Sequence, residues 1–159
     1  MDQLEERQIS VSRTFEAPLD LLWKAWTEPV HFMKWYGPKE FTAPTCEIDL
    51  RVGGRHLWSM LSPDGNQMYF TGSYKEVQPM ERLVYTDSMS DAEGNVMSAE
   101  MMGMPEGMPV TMDVTVIFEH TDGKTTVTVS HIGHGDSDRA GMGWEQAFDK
   151  LTAELAKGS

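Results

Sequence analysis

Residues 137–157, SDRAGMGWEQAFDKLTAELAK, place Trp144, Phe148, Leu151 and Leu155, with Ala140 and Ala147, at three- and four-residue steps. That spacing puts them on one face of an α-helix. Glu145, Asp149, Lys150, Glu154 and Lys157 lie opposite. Ser137 is placed to cap the helix, Asp138 suits the positive end of its dipole, and Lys157 followed by Gly158 suits its end. Gly141 and Gly143 each cost about 1 kcal/mol against alanine in a helix interior, so regular helix is expected from Trp144 onward. A lone helix with such a face cannot bury it by itself. The rest of the chain must supply the receiving surface, and Trp144 is expected at the centre of the contact.

That rest reads mostly as strands. Ile9, Val11 and Phe15 alternate with Ser10, Ser12 and Thr14, a first strand with one wet face, and Arg13 falls on the apolar phase near its end. Pro18 suits the first turn of a short helix over residues 19–27, and Pro29 opens a second over 30–35 that Tyr36-Gly37-Pro38 closes. Strands follow over 45–52, 55–61, 68–77 and 82–88, each pair separated by turn chemistry: Gly53-Gly54, Pro63-Asp64-Gly65 and Pro79-Met80-Glu81. Residues 89–108, rich in Met, Gly and Pro, interrupt the rhythm. Met112, Val114, Val116 and Phe118 then alternate with polar residues, and Asp122-Gly123 turns into a last strand over 124–132. Consecutive strands without interleaved helices predict an α+β fold with an antiparallel sheet. One domain over residues 1–159 is expected.

Charge and cysteine usage narrow the partners. With 13 basic and 25 acidic side chains the net charge is −12, which opposes nucleic acid and anionic membranes. No apolar run approaches a membrane span, so no membrane insertion is expected. Cys46 is the only cysteine, and the first residues lack the pattern of a signal peptide; both point to the cytoplasm.

The segments RTFEAPLDLLWKAWTEP (13–29), KWYGP (34–38), EIDLRVGGRH (47–56), PDG (63–65), ERLVYTD (81–87), FEHTDGKTTVTV (118–129) and GWEQAFDKL (143–151) resemble single-domain proteins related to the activator of the heat-shock protein 90 ATPase. These belong to the SRPBCC, or START-like, superfamily. The resemblance implies a helix-grip fold: a curved antiparallel sheet wrapped around the C-terminal helix, with a cavity between them. Such folds host binding proteins, enzymes and chaperone accessories alike.

A curved sheet closing on one helix implies an inner site lined by inward-facing residues. Alternation nominates Met112, Val114, Val116, Phe118, Val127 and Val129 from the last strands, Trp58, Met60, Phe70, Tyr74, Tyr85 and Asp87 from the middle ones, and Trp144 and Phe148 from the helix. A solid core of the same residues has the same periodicity. His131 shares the inward phase of Val127 and Val129, and His56 that of Trp58 and Met60; either can hydrogen-bond a ligand or serve as a structural histidine. The polar end of a ligand is expected at His131 or Tyr85. Trp23, Trp26, Trp35 and Tyr36 are expected to pack the helical connector on the sheet's rim, or to form an aromatic entrance. Asp49 and Arg51 share a strand face before Gly53 and Gly54 and read as an ion pair leading into a turn. Seven methionines between 89 and 112 suit an adaptable lid or contact surface.

No phosphate loop, dinucleotide fingerprint or nucleophile elbow is present, and no cofactor is expected. His131, His134 and Asp136 are read as a strand-end cluster rather than a metal site. The expected function is non-enzymatic binding of a small apolar or amphipathic molecule. Two alternatives stand beside it: a stress-response accessory touching a heat-shock protein 90-type chaperone, and a hydrolase or cyclase/dehydratase-like enzyme using the same cavity.

Overall fold

The computed structural model describes residues 6–98, 100, 111–134 and 137–157. Strand β1 (Glu6–Phe15) turns Ile9, Val11 and Phe15 inward, as its alternation requires, and pairs antiparallel with β7 (Lys124–His134). Val11 lies opposite Val129 and Arg13 opposite Val127 in that register. The outward faces of the two strands carry a ladder of hydroxyl pairs: Ser10–Ser130 at 3.3 Å, Ser12–Thr128 at 3.0 Å and Thr14–Thr126 at 2.7 Å. Between β1 and the rest of the sheet the chain forms α1 (Leu19–Thr27) and α2 (Pro29–Phe32). It then runs through β2 (Cys46–Ile48), β3 (Arg55–Leu61), β4 (Gln67–Gln78), β5 (Arg82–Ser90) and β6 (Thr111–Thr121) to β7, and ends in α3 (Ser137–Ala156).

The seven strands form one antiparallel sheet in the order β1-β7-β6-β5-β4-β3-β2. A meander closed by its own first strand is the α+β architecture expected, and the sheet is curved, with a C-terminal helix and short helices. At the β6–β7 turn Asp122 and Gly123 both have positive φ, 52° and 78°, the backbone of the tight hairpin turn that this dipeptide favours. Strand β2 is shorter than alternation suggests because the chain curls back after Ile48. The Arg51 amide bonds to Asp49 O, the Gly54 amide to Arg51 O, and a Cβ at Gly54 would stand 2.0 Å from Asp49 O. Asp49 and Arg51 form the expected ion pair at 2.9 Å, exposed on this turn.

All three helices cover one face. Helix α3 packs on β1 and β7, α1 on β6 and β7, and α2 on β2. Arg13 sits beneath α3: its guanidinium lies 5.8 Å from the Phe148 ring centroid and reaches Asp149 at 2.6 Å and Glu145 at 3.0 Å. The face that α3 buries most deeply is Ala147, Phe148 and Leu151, whereas Trp144 is only half-buried. Trp144 is therefore displaced from the central role its size suggested. Phe148→Ala is expected to cost about 3–5 kcal/mol, the range for a large buried aromatic, and Trp144→Ala distinctly less. Urea melts of the two variants check this ordering.

Candidate functional site

The space between sheet and α3 is mostly filled, and what fills it is the helical connector. Trp26 packs against Trp35 (ring centroids 4.5 Å apart), Phe118 (5.9 Å) and Phe148 (6.0 Å), while Trp23 meets Phe118 at 5.4 Å. Phe32 lies 4.4 Å from Trp58, which stacks on His56 at 3.8 Å and meets Tyr85 edge-on. Trp58, Tyr74, Tyr85, Val114, Val116, Phe118, Val129 and Phe148, expected to line a cavity, are consequently core residues, none more than 5% exposed. Val127 is packed likewise. Periodicity places them inward correctly but carries no information about the aromatic side chains that occupy the volume facing them.

Where this packing ends, an open cleft of about 270 Å³ remains. Met60, Phe70, Asp87, Met112, His131 and Trp144, all nominated from the sequence, line it together with Tyr36, Gly37, Pro38, Gly143 and Ala147. Each wall has a local cause. The sheet side is the inward phase of β3 to β7, with Asp87 opposite Met112 in register. The helix side is the first described turns of α3. The third side is the loop after α2, where Gly37 turns the chain at φ 98°. That loop is tied to α3 by Lys150, whose ammonium donates to the carbonyl oxygens of Phe41 (2.8 Å), Gly37 (3.2 Å), Tyr36 (3.3 Å) and Pro38 (3.3 Å). Tyr36 follows the entrance reading of the connector aromatics; Trp23, Trp26 and Trp35 do not, being core. Gly37, Pro38, Gly143 and Ala147 were invisible to alternation because they have no large side chain to count.

The polar groups of the cleft are few. Trp144 Nε1 donates to His131 Nε2 at 3.1 Å, and since an indole N–H can only donate, that nitrogen is the acceptor. Asp87 is 8% exposed, and its Oδ1 is shielded from solvent without a hydrogen-bond partner. Burial pushes its carboxyl well above the usual carboxylate range. His56 Nε2 lies 4.0 Å from Asp87 Oδ1 but 2.8 Å from Thr86 O, so its proton goes to the carbonyl. Burial lowers the His56 pKa to about 4, leaving a neutral imidazole whose Nδ1 has no partner. The two residues are neighbours and not an ion pair. Burial also raises the hydroxyl pKa values of Tyr36, Tyr85 and Tyr74, with the nearby Asp87 charge as a lesser cause in each.

A second, wider groove of about 470 Å³ runs past Glu47, Asp49, Arg55 and Glu93. Its Arg55 donates to Gly94 O at 3.0 Å, and it lacks the apolar lining of the cleft. Among the described residues no three His, Cys, Asp or Glu side chains gather to hold a metal ion. Asp136, the side chain of His134, and Met101, Met102, Met104 and Met108 of the methionine-rich segment lie outside the described residues.

The titration of this buried pair has a stability signature. Asp87 keeps its proton in the fold at pH values where the unfolded chain, with an ordinary value near 3.8, has released it. Stability is therefore lost as pH rises through that window, by about 1.4 kcal/mol per pH unit. His56 acts in the opposite sense, its stabilising neutrality being lost as pH falls from 6.5 toward about 4. Asp87→Asn isolates the first effect: its stability advantage over the wild type is expected to grow with pH from about 4 upward, until Asp87 ionises in the fold. Urea melts at steps from about pH 4.5 to about pH 7.5 measure it, and a pH-independent difference would contradict the raised value.

Comparison with known proteins bears on the same fold. A family model described as activator of Hsp90 ATPase homolog 1-like protein matches residues 16–156. Among functionally curated proteins none matches the chain. A structure from Chromobacterium violaceum is similar at 27% identity and a TM-score of 0.75, covering 92% of this chain and 94% of its own. One from Nitrosomonas europaea aligns at 24% identity and 0.73, covering 99% and 98%. The AHSA1 protein of Silicibacter pomeroyi aligns at 22% and 0.74, covering 96% and 100%. With 141 of its 159 residues inside the family match, the chain belongs to the family of activator of Hsp90 ATPase homolog 1-like proteins, within the START-like superfamily.

Proposed function

We propose that this protein binds a small apolar or amphipathic molecule in the cleft beside the start of α3, in the cytoplasm and without transforming it. The observation that carries the reading is the lining: thioethers of Met60 and Met112 and rings of Phe70, Tyr36 and Trp144 around one buried carboxyl. About 270 Å³ falls just below the range of drug-sized ligand sites, about 300 to 1,000 Å³, so the cleft suits a small molecule. Methionine walls can adjust their rotamers to a ligand's outline. Binding without chemistry is favoured because the described lining holds no Ser, Thr, Cys or Lys to act as a nucleophile. The family description names a chaperone ATPase activator; for this chain the cleft supports a ligand-binding reading instead. The half-buried thiol of Cys46, pushed up to about 12 by burial and by Glu47, suits a reducing compartment.

Gly143 offers a clean test. A Cβ built there meets nothing nearer than Pro38 Cγ at 3.7 Å, so a side chain can be added without disturbing the core. Gly143→Leu is expected to obstruct the cleft while leaving stability unchanged or raised by up to about 1 kcal/mol, because glycine is a poor helix former. A thermal-shift panel of small aromatic and short-chain amphiphiles should find a stabiliser of the wild type, worth about 2.7 kcal/mol at a hundredfold excess over Kd. Gly143→Leu should abolish that shift. A variant that binds as well as the wild type would place the ligand elsewhere.

A further inference from the structure

Resting on the reading of the cleft as a ligand site, the cleft's polar chemistry indicates which molecules it takes. We propose that its ligand carries a basic amine at the polar end, received by Asp87, with the apolar body against Phe70, Trp144, Met60 and Met112.

Four observations converge on this. First, Asp87 lines the cleft and is more than nine-tenths buried, and the protein supplies no hydrogen-bond donor to its shielded Oδ1. A carboxyl so placed lacks a donor, and an ammonium brings up to three. Second, no Lys or Arg side chain is among the described lining residues, so a carboxylate or phosphate end would enter without a counter-charge. The net charge of −12 works in the same direction, repelling anions and drawing cations. Third, the rings of Tyr36, Phe70 and Trp144 present π-faces, which attract a cation and give nothing to an anion. Fourth, the nearby imidazoles offer an anion nothing: His131 Nε2 accepts from Trp144, His56 Nε2 donates to Thr86 O, and the unpartnered His56 Nδ1 of the neutral ring can only accept.

The titratable groups around Asp87 leave it this role. His56 on β3 is neutral, its pKa lowered to about 4 by burial. Tyr85 on β5, Tyr74 on β4 and Tyr36 on the loop hold their protons more firmly than free tyrosine. His131 on β7 faces the same cleft through its bond with Trp144. The Lys150 ammonium is spent on the carbonyls of residues 36–38 and 41.

Proton balance gives the proposal its own readout. In the complex the Asp87 carboxylate accepts N–H bonds from the ammonium. Burial raises the carboxyl's pKa in the empty cleft and a bound ammonium lowers it again, so binding draws protons from Asp87 into the buffer. Titration calorimetry at neutral pH with tryptamine, tryptophol and indole-3-propionate, which share one indole ring, separates the charge types. Tryptamine is expected to bind about tenfold or more tighter than tryptophol, with indole-3-propionate weakest. Tryptamine should release more protons than tryptophol, read as the change in apparent enthalpy between phosphate and Tris buffers. Asp87→Asn should reduce tryptamine to the affinity of tryptophol and leave tryptophol's own affinity alone. Equal binding of the three probes, preference for the propionate, or full tryptamine affinity in Asp87→Asn each overturns the amine assignment while the cleft reading stands. No binding by any of the three, to wild type and Gly143→Leu alike, overturns both.

Discussion

Trp26 joins the three parts of this fold. It is 1% exposed, and its ring touches Trp35 in the connector, Phe118 on β6 and Phe148 on α3. The partners are fixed in turn: Trp35 Nε1 donates to Ala25 O at 3.0 Å, and Phe148 meets Phe15 edge-on at 5.6 Å. A sheet and one helix would leave an open volume between curved and straight surfaces. A rigid, bulky side chain from a third element closes it, and interiors packed to that density tolerate few voids. The grip is therefore held by the connector as much as by α3.

A core closed in this way opens into the cleft where the connector gives out, after Tyr36. There the loop bends away at Gly37 and is held against α3 by Lys150, with the Lys39 amide donating to Gln146 Oε1 at 3.0 Å as a second tie. Its ammonium has three N–H groups and four carbonyl oxygens within 3.3 Å, so carbonyl dipoles rather than a carboxylate balance the charge. Burial accordingly lowers its pKa. The same residue thus seats the helix and sets the outer wall of the cleft.

Much of the architecture was legible from residue patterns. Helix α1 over Leu19–Thr27 and strand β3 over Arg55–Leu61 run as read, since proline, turn dipeptides and a strict phase mark their ends. The division of the inward residues into core and cleft was not legible. Val129 and His131 share one phase on one strand, yet the first is sealed and the second lines an opening, because only the first lies under the packed connector and helix. Lys150 was read as part of a solvated face; nothing in its spacing tells that four backbone carbonyls lie within its reach. Glycines 37 and 143 shape the cleft by what they lack, and hydrophobic periodicity does not register an absent side chain.

Asp87 is the position at which the levels of this sequence disagree. Leu83, Tyr85 and Met89 share its phase on β5, and an apolar residue there would satisfy alternation and core packing at once. A buried carboxyl without a partner costs about 1–3 kcal/mol instead. The inward imidazoles nearby meet part of such a cost within the protein: His56 Nε2 has Thr86 O, and His131 Nε2 has the Trp144 indole. Among the described residues Trp26 Nε1, Trp58 Nε1 and His56 Nδ1 also lack partners, but Asp87 alone of these four side chains lines the apolar cleft, the pattern expected of a site rather than of a packing fault. On the proposed reading the missing partner of Asp87 arrives with the ligand, and the stability forgone in the empty protein is recovered as binding selectivity for a molecule that brings a donor.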